Sequence, residues 1–404
     1  MRSKEFRNAI LASARSGPEV PPVCQHADEC GGCAFQNRDY NAQIAAKTAI
    51  LRQIWNEGGY QELPIEVVGS PEIFAYRTRM DYVATKGRFG LRRSGKFNYI
   101  VEMQECHLIP PSAFQIAKTI WERSQALGLP DYNIRSHEGF LRYIVVRRSP
   151  VNQLMLAAVT SEAPHDAQME QLAELALSHE EVVSFYWLIN DSLTDISFGT
   201  PKRYWGEAYL PMRVGQHMLD IGPNTFFQNN VHLLDGLLDA VKEAVGVWSD
   251  QHNGQLPRLA DLYGGVGTIA LYLADQAQSV VSVEEVEESS QLARHNIRRN
   301  NLSNIEEVHA DTLSYLRQTP ADSFDVIVVD PPRTGLGPEV CNELLRIGAE
   351  RIVYVSCNPL TQLEDAQILQ QNYDLLSLRG YDMFPHTPHV EALGIWQRRD
   401  TTNR

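Results

Sequence analysis

Residues 258–274 read RLADLYGGVGTIALYLA, in which an apolar run is followed by a glycine-rich segment and a second apolar run. This order predicts a strand, a tight turn and a helix. Gly265, Gly267 and Ala270 fit the spacing G-x-G-x-x-G/A, in which small residues let the backbone approach a nucleotide closely. The same pattern can serve NAD, FAD or S-adenosylmethionine, or it can be a tight turn alone. The turn therefore leaves the cofactor open.

The residues on both sides of this turn continue an alternation of strands and helices. A helix is predicted over 230–246, and buried strands are predicted in LADLYG, SVVSVEE, EEVHAD, DVIVVDPP and RIVYVSC. Such alternation indicates a parallel, doubly wound sheet. We therefore expect an α/β domain over residues 216–404.

The first half of the chain has a different pattern. Short alternating runs, glycine turns and two helical stretches over residues 65–215 predict a mixed α+β central domain. Residues 37–64 show helical spacing of apolar side chains, and we expect this helix to pack on the catalytic domain. Residues 1–36 are expected to form a loosely docked N-terminal arm and a cysteine-rich loop.

Three acidic residues end successive predicted strands after the glycine turn. Glu284 stands where ribose hydroxyls are usually bound, with Glu285 as the adjacent alternative, and Asp311 could bind an adenine amino group. Asp330 begins the segment Asp-Pro-Pro, which is typical of methyltransferases that act on bases. The prolines stiffen this loop and lack N–H donors, so carbonyls can face a planar substrate. NAD dehydrogenases do not need such a loop.

A cysteine and a glutamate could complete a covalent mechanism. Cys357 follows a buried strand and precedes a helix, whose N-terminus is expected to lower the pKa of the thiol. A thiolate that adds to carbon 6 of uracil makes carbon 5 nucleophilic enough to take a methyl group. Glu391, in FPHTPHVEAL, is the candidate base for the proton left on carbon 5. His386 and His389 are expected to orient or support the site.

Four cysteines have the spacing of a metal centre and not of a disulfide scaffold. Cys24, Cys30 and Cys33 are close in sequence, and Cys106 follows about 70 residues later. Four thiolates can hold zinc or a 4Fe-4S cluster. The single C-x2-C pair favours iron–sulfur, whereas His26 and His107 beside the cysteines keep zinc as the alternative. Either centre would be structural or would position RNA.

Composition narrows the class of protein. The net charge is −14, yet residues 71–150 hold 13 Lys and Arg against 7 Asp and Glu. This basic segment could bind a polyanion locally, through arginines such as Arg77, Arg79, Arg88, Arg92 and Arg93. No apolar run is long enough for a membrane span, and the N-terminus has no apolar core of a secretion signal. We therefore expect a cytoplasmic protein.

In combination, these motifs resemble the tRNA/rRNA uracil-5-methyltransferase family. The resemblance runs from Cys24 to about Trp396 and includes C-x5-C-G-G-C, FFQNN, DLYGGVG, DPPR, SCN and FPHT-x-HVE. It implies a Rossmann-like class I methyltransferase domain, a central α+β RNA-binding domain and an N-terminal iron–sulfur loop. By this resemblance Cys357 is the nucleophile and Glu391 the proton acceptor. The implied S-adenosylmethionine residues are Gln228, Tyr263, Thr268, Glu284 and Asp330, with Asp311 as a further candidate, and the implied 4Fe-4S ligands are Cys24, Cys30, Cys33 and Cys106.

The chain also departs from the family pattern. Gly264 and Thr268 stand where the family usually has Cys and often has Asn, and only 23 residues precede Cys24, so we expect no TRAM domain. A short member that keeps the cluster favours 23S rRNA as substrate, with the tRNA T loop as the alternative, and we expect a monomer. A methyltransferase acting on another base, or an iron–sulfur redox or scaffold protein, would leave Cys357 or Glu391 without a role.

Overall fold

The computed structural model describes residues 1–399, so the last five residues of the expected catalytic domain lie outside the described range. Its helices are α1 (Ser3–Arg15), α2 (Tyr40–Glu57), α3 (Pro111–Ala126), α4 (Asp166–Leu177), α5 (Leu234–Gln251), α6 (Thr268–Tyr272), α7 (Glu287–Arg299), α8 (Thr312–Gln318), α9 (Gly337–Ile347) and α10 (Pro359–Leu369). Its strands are β1 (Glu66–Val68), β2 (Arg79–Thr85), β3 (Arg88–Arg93), β4 (Lys96–Glu102), β5 (Leu141–Arg148), β6 (Leu154–Thr160), β7 (Val182–Ile189), β8 (Thr200–Gly206), β9 (Leu210–Val214), β10 (His217–Ile221), β11 (Arg258–Leu262), β12 (Ser279–Glu284), β13 (Ile305–His309), β14 (Val326–Val329), β15 (Arg351–Ser356), β16 (Tyr373–Tyr381) and β17 (Glu391–Arg398).

The second half of the chain forms the predicted doubly wound sheet. Its strand order is β1-β16-β17-β15-β14-β11-β12-β13. The pairs from β15 to β13 are parallel, whereas β17 runs antiparallel to both β15 and β16. Strands β14 and β15 are buried along their whole length, as expected for strands covered by helices on both faces. The α/β prediction is confirmed.

A second sheet forms the central part of the molecule, with strand order β4-β3-β2-β5-β6-β7-β8. Its strands pair antiparallel except β6 and β7, which are parallel and are connected through α4. The boundary expected at residue 65 falls just before β1, and this strand pairs with β16 of the catalytic sheet instead. The hairpin of β9 and β10 contains the expected boundary at 215/216.

The N-terminal residues are not a loose arm. Residues 3–15 form α1, and Phe6, Ile10 and Ala14 are buried in the same apolar cluster as Trp55 of α2 and the catalytic sheet. The apolar residues recur at intervals of four, so one stripe of the helix faces the core. The expectation of a loosely ordered N-terminus is therefore wrong for this segment.

The cysteine-rich loop docks along the outer part of the central sheet. The amide of Gly31 donates to the carbonyl of Arg92 over 2.8 Å, and that of Ser94 donates to Glu29 over 2.9 Å. On its other side, the amide of Ala34 donates to the carbonyl of His386 over 2.7 Å. The loop thus joins the central sheet to the segment that leads into β17. None of the helices in residues 1–399 is long and apolar enough to cross a membrane.

Candidate active site

The glycine-rich turn is shaped for close approach of a ligand. Gly265 and Gly267 have φ values of 57° and 88°, which favour glycine, and Tyr263 also has a positive φ of 65°. The carboxylate of Glu284 accepts hydrogen bonds from the amides of Gly265 (2.8 Å) and Val286 (2.7 Å). Glu284 therefore holds the turn in place at the end of β12, where the sequence analysis put it.

A narrow cleft beside this turn brings several predicted cofactor residues together. Its lining includes Gln228, Tyr263, Thr268 and Asp330. The amide nitrogen of Gln228 donates to Asp330 over 3.1 Å. Burial raises the pKa of Asp330 to about 7, although this hydrogen bond lowers it. The cleft thus combines an apolar wall with a polar pair that could orient a ligand.

Asp311 lies on the rim of this cleft, and its side chain also has a structural role. It is the N-cap of α8, and its carboxylate accepts from the amide of Ser314 over 2.8 Å. The hydroxyl of Tyr263 hydrogen-bonds to Thr312, the first residue of this helix, and Tyr263 has its pKa raised to about 12, first by burial. Asp311 is exposed and close to the turn, so a cofactor could reach it.

Asp261 is a buried acid that the sequence analysis missed. It is fully buried in β11, and its carboxylate accepts from the amide of Ala270 over 3.0 Å. Burial raises its pKa to about 7, and the charges of Asp330 and Glu284 raise it further. The signal was an aspartate inside the apolar run LADLYG. The Asp261 carboxylate therefore connects β11 to the first turn of α6 by a hydrogen bond.

Cys357 and Glu391 come side by side at the ends of neighbouring strands. Ser356 pairs with Ala392 in the antiparallel register of β15 and β17, so Cys357 and Glu391 continue that pairing. Burial raises the pKa of the Cys357 thiol to about 12, and the charges of Glu391 and Asp330 add to this increase. We expected the helix N-terminus to lower this pKa, and that expectation is wrong. Asn358 already caps α10 through its side chain, and two carboxylates face the thiol.

Glu391 is a buried carboxyl with a spare oxygen. Glu391 is only 4% exposed, and no group in residues 1–399 hydrogen-bonds to its Oε2 atom. Burial raises its pKa to about 8, the charge of Asp330 raises it further, and Arg333 opposes both effects. A carboxyl with a pKa near neutrality and a free oxygen suits a general acid or base.

The two histidines of the last loop have different surroundings. His386 is 2% exposed and stacks on Phe74 at 4.8 Å, and its Nδ1 and backbone amide both contact the Gln43 side chain. Burial lowers the pKa of His386 to about 4. Burial also lowers the pKa of His389 to about 4, and Arg333 lowers it further. Both rings are therefore neutral near pH 7, and His386 packs as a structural residue does.

The four candidate ligand cysteines converge from the docked loop and from residue 106. Burial raises the pKa of Cys30 to about 11 and that of Cys33 to about 12, and the charges of neighbouring cysteines, including Cys106, add to both. Cys24 is affected by Cys106 in the same way. In the described part of the chain, no three His, Cys, Asp or Glu side chains have the arrangement of a bound metal. The thiols are neighbours, but they do not form a preassembled metal site.

Of the two histidines beside these cysteines, His26 is hydrogen-bonded elsewhere, whereas His107 only lies near a carboxylate. His26 Nε2 accepts from the amide of Gln104 over 2.9 Å, and His107 Nε2 lies 3.3 Å from the carboxylate of Glu105. Backbone amides meanwhile point at two of the sulfurs, from His26 to Cys24 Sγ and from Gly32 to Cys30 Sγ, each over 3.4 Å. The candidate metal ligands are therefore thiols, and two of them accept hydrogen bonds from backbone N–H groups.

Comparison with known proteins gives closely related sequences and folds. The profile of the tRNA (uracil-5-)-methyltransferase family matches residues 210–400. Relatives from Pyrococcus abyssi and Pyrococcus horikoshii, both named tRNA (uracil(54)-C(5))-methyltransferase, are 35% and 32% identical; the alignments cover 94% and 97% of this chain and 87% and 91% of theirs. The crystal structure of the Pyrococcus abyssi tRNA (uracil-54, C5)-methyltransferase in complex with S-adenosyl-L-homocysteine has a TM-score of 0.78 and 33% identity, covering 91% of this chain and 84% of that one.

Proposed function

The chain belongs to the tRNA (uracil-5-)-methyltransferase family and is an S-adenosylmethionine-dependent RNA methyltransferase, and from this we propose that it methylates carbon 5 of a T-loop uridine in tRNA. The observation that carries the choice of tRNA is the alignment with the two Pyrococcus tRNA (uracil(54)-C(5))-methyltransferases along almost the whole chain. From the sequence alone, the short chain and its four cysteines favoured 23S rRNA. These relatives support the alternative, the tRNA T loop, more strongly.

We propose that Cys357 and Glu391 carry out the covalent steps. The Cys357 thiolate adds to carbon 6 of the uracil, and the ring becomes an enolate whose carbon 5 is nucleophilic. S-adenosylmethionine supplies the methyl group that carbon 5 receives. Glu391 then accepts the proton left on carbon 5, and the carbon 6–sulfur bond breaks to restore the double bond and the thiolate. The adjacent positions of the two residues at the ends of β15 and β17 support this assignment.

The carboxyl and the thiol also control each other's charge. Each negative charge disfavours the other, so the thiolate forms more readily while Glu391 is neutral. Once the sulfur is bonded to carbon 6 it carries no charge, so Glu391 can release its own proton to solvent before it accepts the proton of carbon 5. Arg333 favours both anions and lies in the DPPR loop beside them. We infer that this arginine stabilises the thiolate in place of the helix N-terminus.

The residues that would hold S-adenosylmethionine are those gathered around the glycine turn. Gln228, Tyr263, Thr268 and Asp330 line one cleft, and Glu284 ends the strand next to it. Asp311 would contact the adenine side from the rim. Since Gly265 leaves its backbone uncovered by a side chain, a nucleoside could lie directly against the turn.

We propose that Cys24, Cys30, Cys33 and Cys106 hold a 4Fe-4S cluster, with zinc as the alternative. Support comes from the buried cluster that contains Cys30 and Cys106 with Cys33 packed against it, from the amides that face two of the sulfurs, and from His26, which is hydrogen-bonded elsewhere. The centre would tie the docked loop to the central sheet and would take no part in the reaction.

Mapping 5-methyluridine tests the substrate. Cells lacking the gene should lose the modification from the T loop of tRNA, and purified enzyme should restore it in a tRNA transcript that lacks modification. If 5-methyluridine is lost from rRNA alone, the tRNA proposal is wrong although the family chemistry holds. A catalytically inactive variant in the same cells should behave as the deletion does.

Substitution of Cys357 tests the covalent mechanism. Cys357→Ala should reduce methylation by at least about 10⁴-fold, since it removes the nucleophile, while S-adenosylhomocysteine binding changes little. Glu391→Gln should instead accumulate an RNA adduct that survives a denaturing gel, because the proton on carbon 5 is no longer removed. Cys341→Ser, at a buried cysteine outside the site, is the matched control. Full activity of Cys357→Ala would contradict the mechanism.

The cluster has an optical test. Protein purified without oxygen should be brown, with the broad visible absorbance of a thiolate-bound iron–sulfur cluster. Cys106→Ser should lose the colour and Cys341→Ser should keep it. Colourless wild-type protein that contains one equivalent of zinc would support the alternative instead.

A further inference from the structure

A groove runs along the central sheet where the cysteine-rich loop docks. It has a volume of about 820 Å³, and its walls include Gly31, Arg77, Arg93 and Lys96. Gly31 fits only because it has no side chain, since a Cβ there would lie 2.8 Å from the carbonyl oxygen of Arg92. The loop thus closes one side of the groove tightly against β3.

The groove has a basic wall. Its lining contains four cations, from Arg77 to Lys96, against the two carboxylates of Asp81 and Asp195. Asp195 pairs with Arg92 and accepts from the Tyr143 hydroxyl, so this carboxylate is already paired with groups of the wall. Glu29 lies 3.6 Å from Arg93 in a partly exposed pair. The lining therefore carries more positive than negative charge, and Lys96 adds to it at the open edge of the groove.

An exposed aromatic ring stands at the far end of the groove. Phe198 is 45% exposed, and it lines both this groove and a second cleft of about 750 Å³ that contains Glu284. The guanidinium of Arg79 lies over the ring, 4.7 Å from its centroid. Phe226, which is 63% exposed, lines the second cleft as well. Two rings therefore face solvent at the junction between the basic groove and the cofactor side.

The backbone that carries Phe198 is held rigidly. Asn190 donates to the carbonyls of Ile196 (3.0 Å) and Phe198 (2.8 Å), and buried Arg142 donates to the carbonyls of Asn190 and Ser192. A loop fixed in this way keeps its ring in water even though burial would be more favourable. Such a preorganised ring has the properties of a stacking platform.

We propose that the groove binds an unpaired stretch of the substrate RNA, with phosphates facing Arg93 and Lys96 and one base stacked on Phe198. This inference rests on the proposed function and adds that the strand beside the target uridine must be single. Unpaired bases expose faces that aromatic side chains and arginines can stack on, whereas a duplex does not. Charge complementarity selects RNA over an apolar partner.

Binding of short RNAs tests the proposal. The Cys357→Ala protein, which cannot form an adduct, is titrated into a labelled uridine-rich strand of about 12 nucleotides and into the duplex of that strand. We expect at least about tenfold tighter binding of the single strand. Phe198→Ala should weaken single-strand binding about fivefold to 100-fold, whereas Phe198→Trp should keep it. Leu193→Ala is the control, since Leu193 is 69% exposed in the same loop but does not line the groove.

The salt dependence tests the basic wall separately. Arg93→Ala/Lys96→Ala should reduce the slope of log affinity against log salt by about 1.4, the value for two phosphates of a single strand. Arg123→Ala/Arg213→Ala, at two exposed arginines outside the groove, should leave it unchanged. Equal binding of duplex and single strand, or equal effects of Phe198→Ala and Leu193→Ala, would overturn the inference. Uridine methylation by the wild-type enzyme would still stand in that case, so the two proposals fail separately.

Discussion

At the scale of single residues, the candidate active site is a place where the fold raises the pKa of buried acids. Glu391 has its pKa raised to about 8, and Asp261 and Asp330 have theirs raised to about 7, in each case mainly by burial. The folded protein therefore holds protons that the unfolded chain releases above its ordinary carboxyl pKa. The free energy of unfolding should fall as the pH rises from about 4.5 to 8, because the unfolded state binds fewer protons in this window.

Glu391→Gln gives a direct measurement of this effect. At pH 8.5 we expect the variant to be more stable than the wild type by about 1–3 kcal/mol, because a neutral amide replaces a buried charge. At pH 3, well below the ordinary carboxyl pKa of 4.5, the carboxyl is neutral in both the folded and the unfolded state, so the difference should nearly vanish. Urea unfolding at the two pH values provides the comparison. Glu207→Gln, at an exposed glutamate, should show no pH-dependent difference. A variant that is less stable than the wild type at pH 8.5 would contradict the argument.

The sequence was enough to propose the residues of the candidate site, but their ionisation could not be predicted from it. Cys357 and Glu391 stand out because each follows or begins a strand within a recognisable motif. The pKa of Cys357 depends on Asp330 and Glu391, which are far apart in sequence and meet only through the sheet register. The helix N-terminus was visible in the sequence, whereas the two carboxylates beside the thiol were not. For this reason the predicted direction of the thiol pKa was wrong.

At the scale of elements, the loop that leads into β17 is attached to α2 by a buried ion pair. Lys47 and Asp382 have side chains that are 0% exposed, and Lys47 Nζ lies 2.5 Å from Asp382 Oδ1. The hydroxyl of Tyr40 donates to the other carboxylate oxygen over 2.9 Å. Lys47 also donates to the carbonyl of Phe384 over 3.4 Å. The helix thus fixes the start of the loop that ends at Glu391.

Lys47→Met should be strongly destabilising. Removing one partner leaves the other charge buried and unpaired, which costs about 3–5 kcal/mol. Lys47→Met/Asp382→Asn should lose less than the single variant, because no charge is then left alone. Lys242→Met, which breaks the partly exposed pair with Asp275, should cost less than about 1 kcal/mol. Urea unfolding of the three variants is the measurement. Equal losses for Lys47→Met and Lys242→Met would show that the pair does not fix the loop.

The long elements of this fold were predictable and the short or distant ones were not. The helix expected within residues 37–64 is found at Tyr40–Glu57, and it begins there because Asp39 caps it and accepts from the amide of Ala42. β1 has three residues, too few to show periodicity, and its partner β16 lies about 300 residues away in the chain. Lys47 resembles a solvated residue of a surface helix until Asp382 is placed beside it. For β1 and Lys47, the structure depends on a partner far away in the chain, which a local sequence pattern does not show.

At the scale of the whole molecule, one of the buried apolar clusters contains residues of both sheets, whereas two others belong to one sheet each. The β9–β10 hairpin supplies Leu210, Met212, Val214, Leu219 and Ile221, all nearly inaccessible to solvent. They belong to the same buried cluster as Val145 of the central sheet and Val353 of the catalytic sheet. The sequence placed a domain boundary inside this hairpin, since the pattern changes there. A change of pattern marks where one sheet ends, but it does not show that both sheets pack on the same residues.

A shared core should unfold as one unit, and Met212 tests this. Met212→Ala should lower the free energy of unfolding by about 2–5 kcal/mol, because it leaves a cavity in a fully buried position. The loss should be equal for both sheets, since the cavity lies in the core that joins them. Native-state hydrogen exchange of peptides from β5–β6 and from β14–β15 measures each sheet separately. Met218→Ala, at an exposed methionine in the same hairpin, should change neither by more than about 0.5 kcal/mol. If exchange accelerates in the central sheet alone, the sheets are independent domains and the hairpin is only a linker. Equal acceleration would instead mean that the RNA groove and the cofactor cleft are carried by one cooperative structure, so that their spacing is fixed before substrate binds.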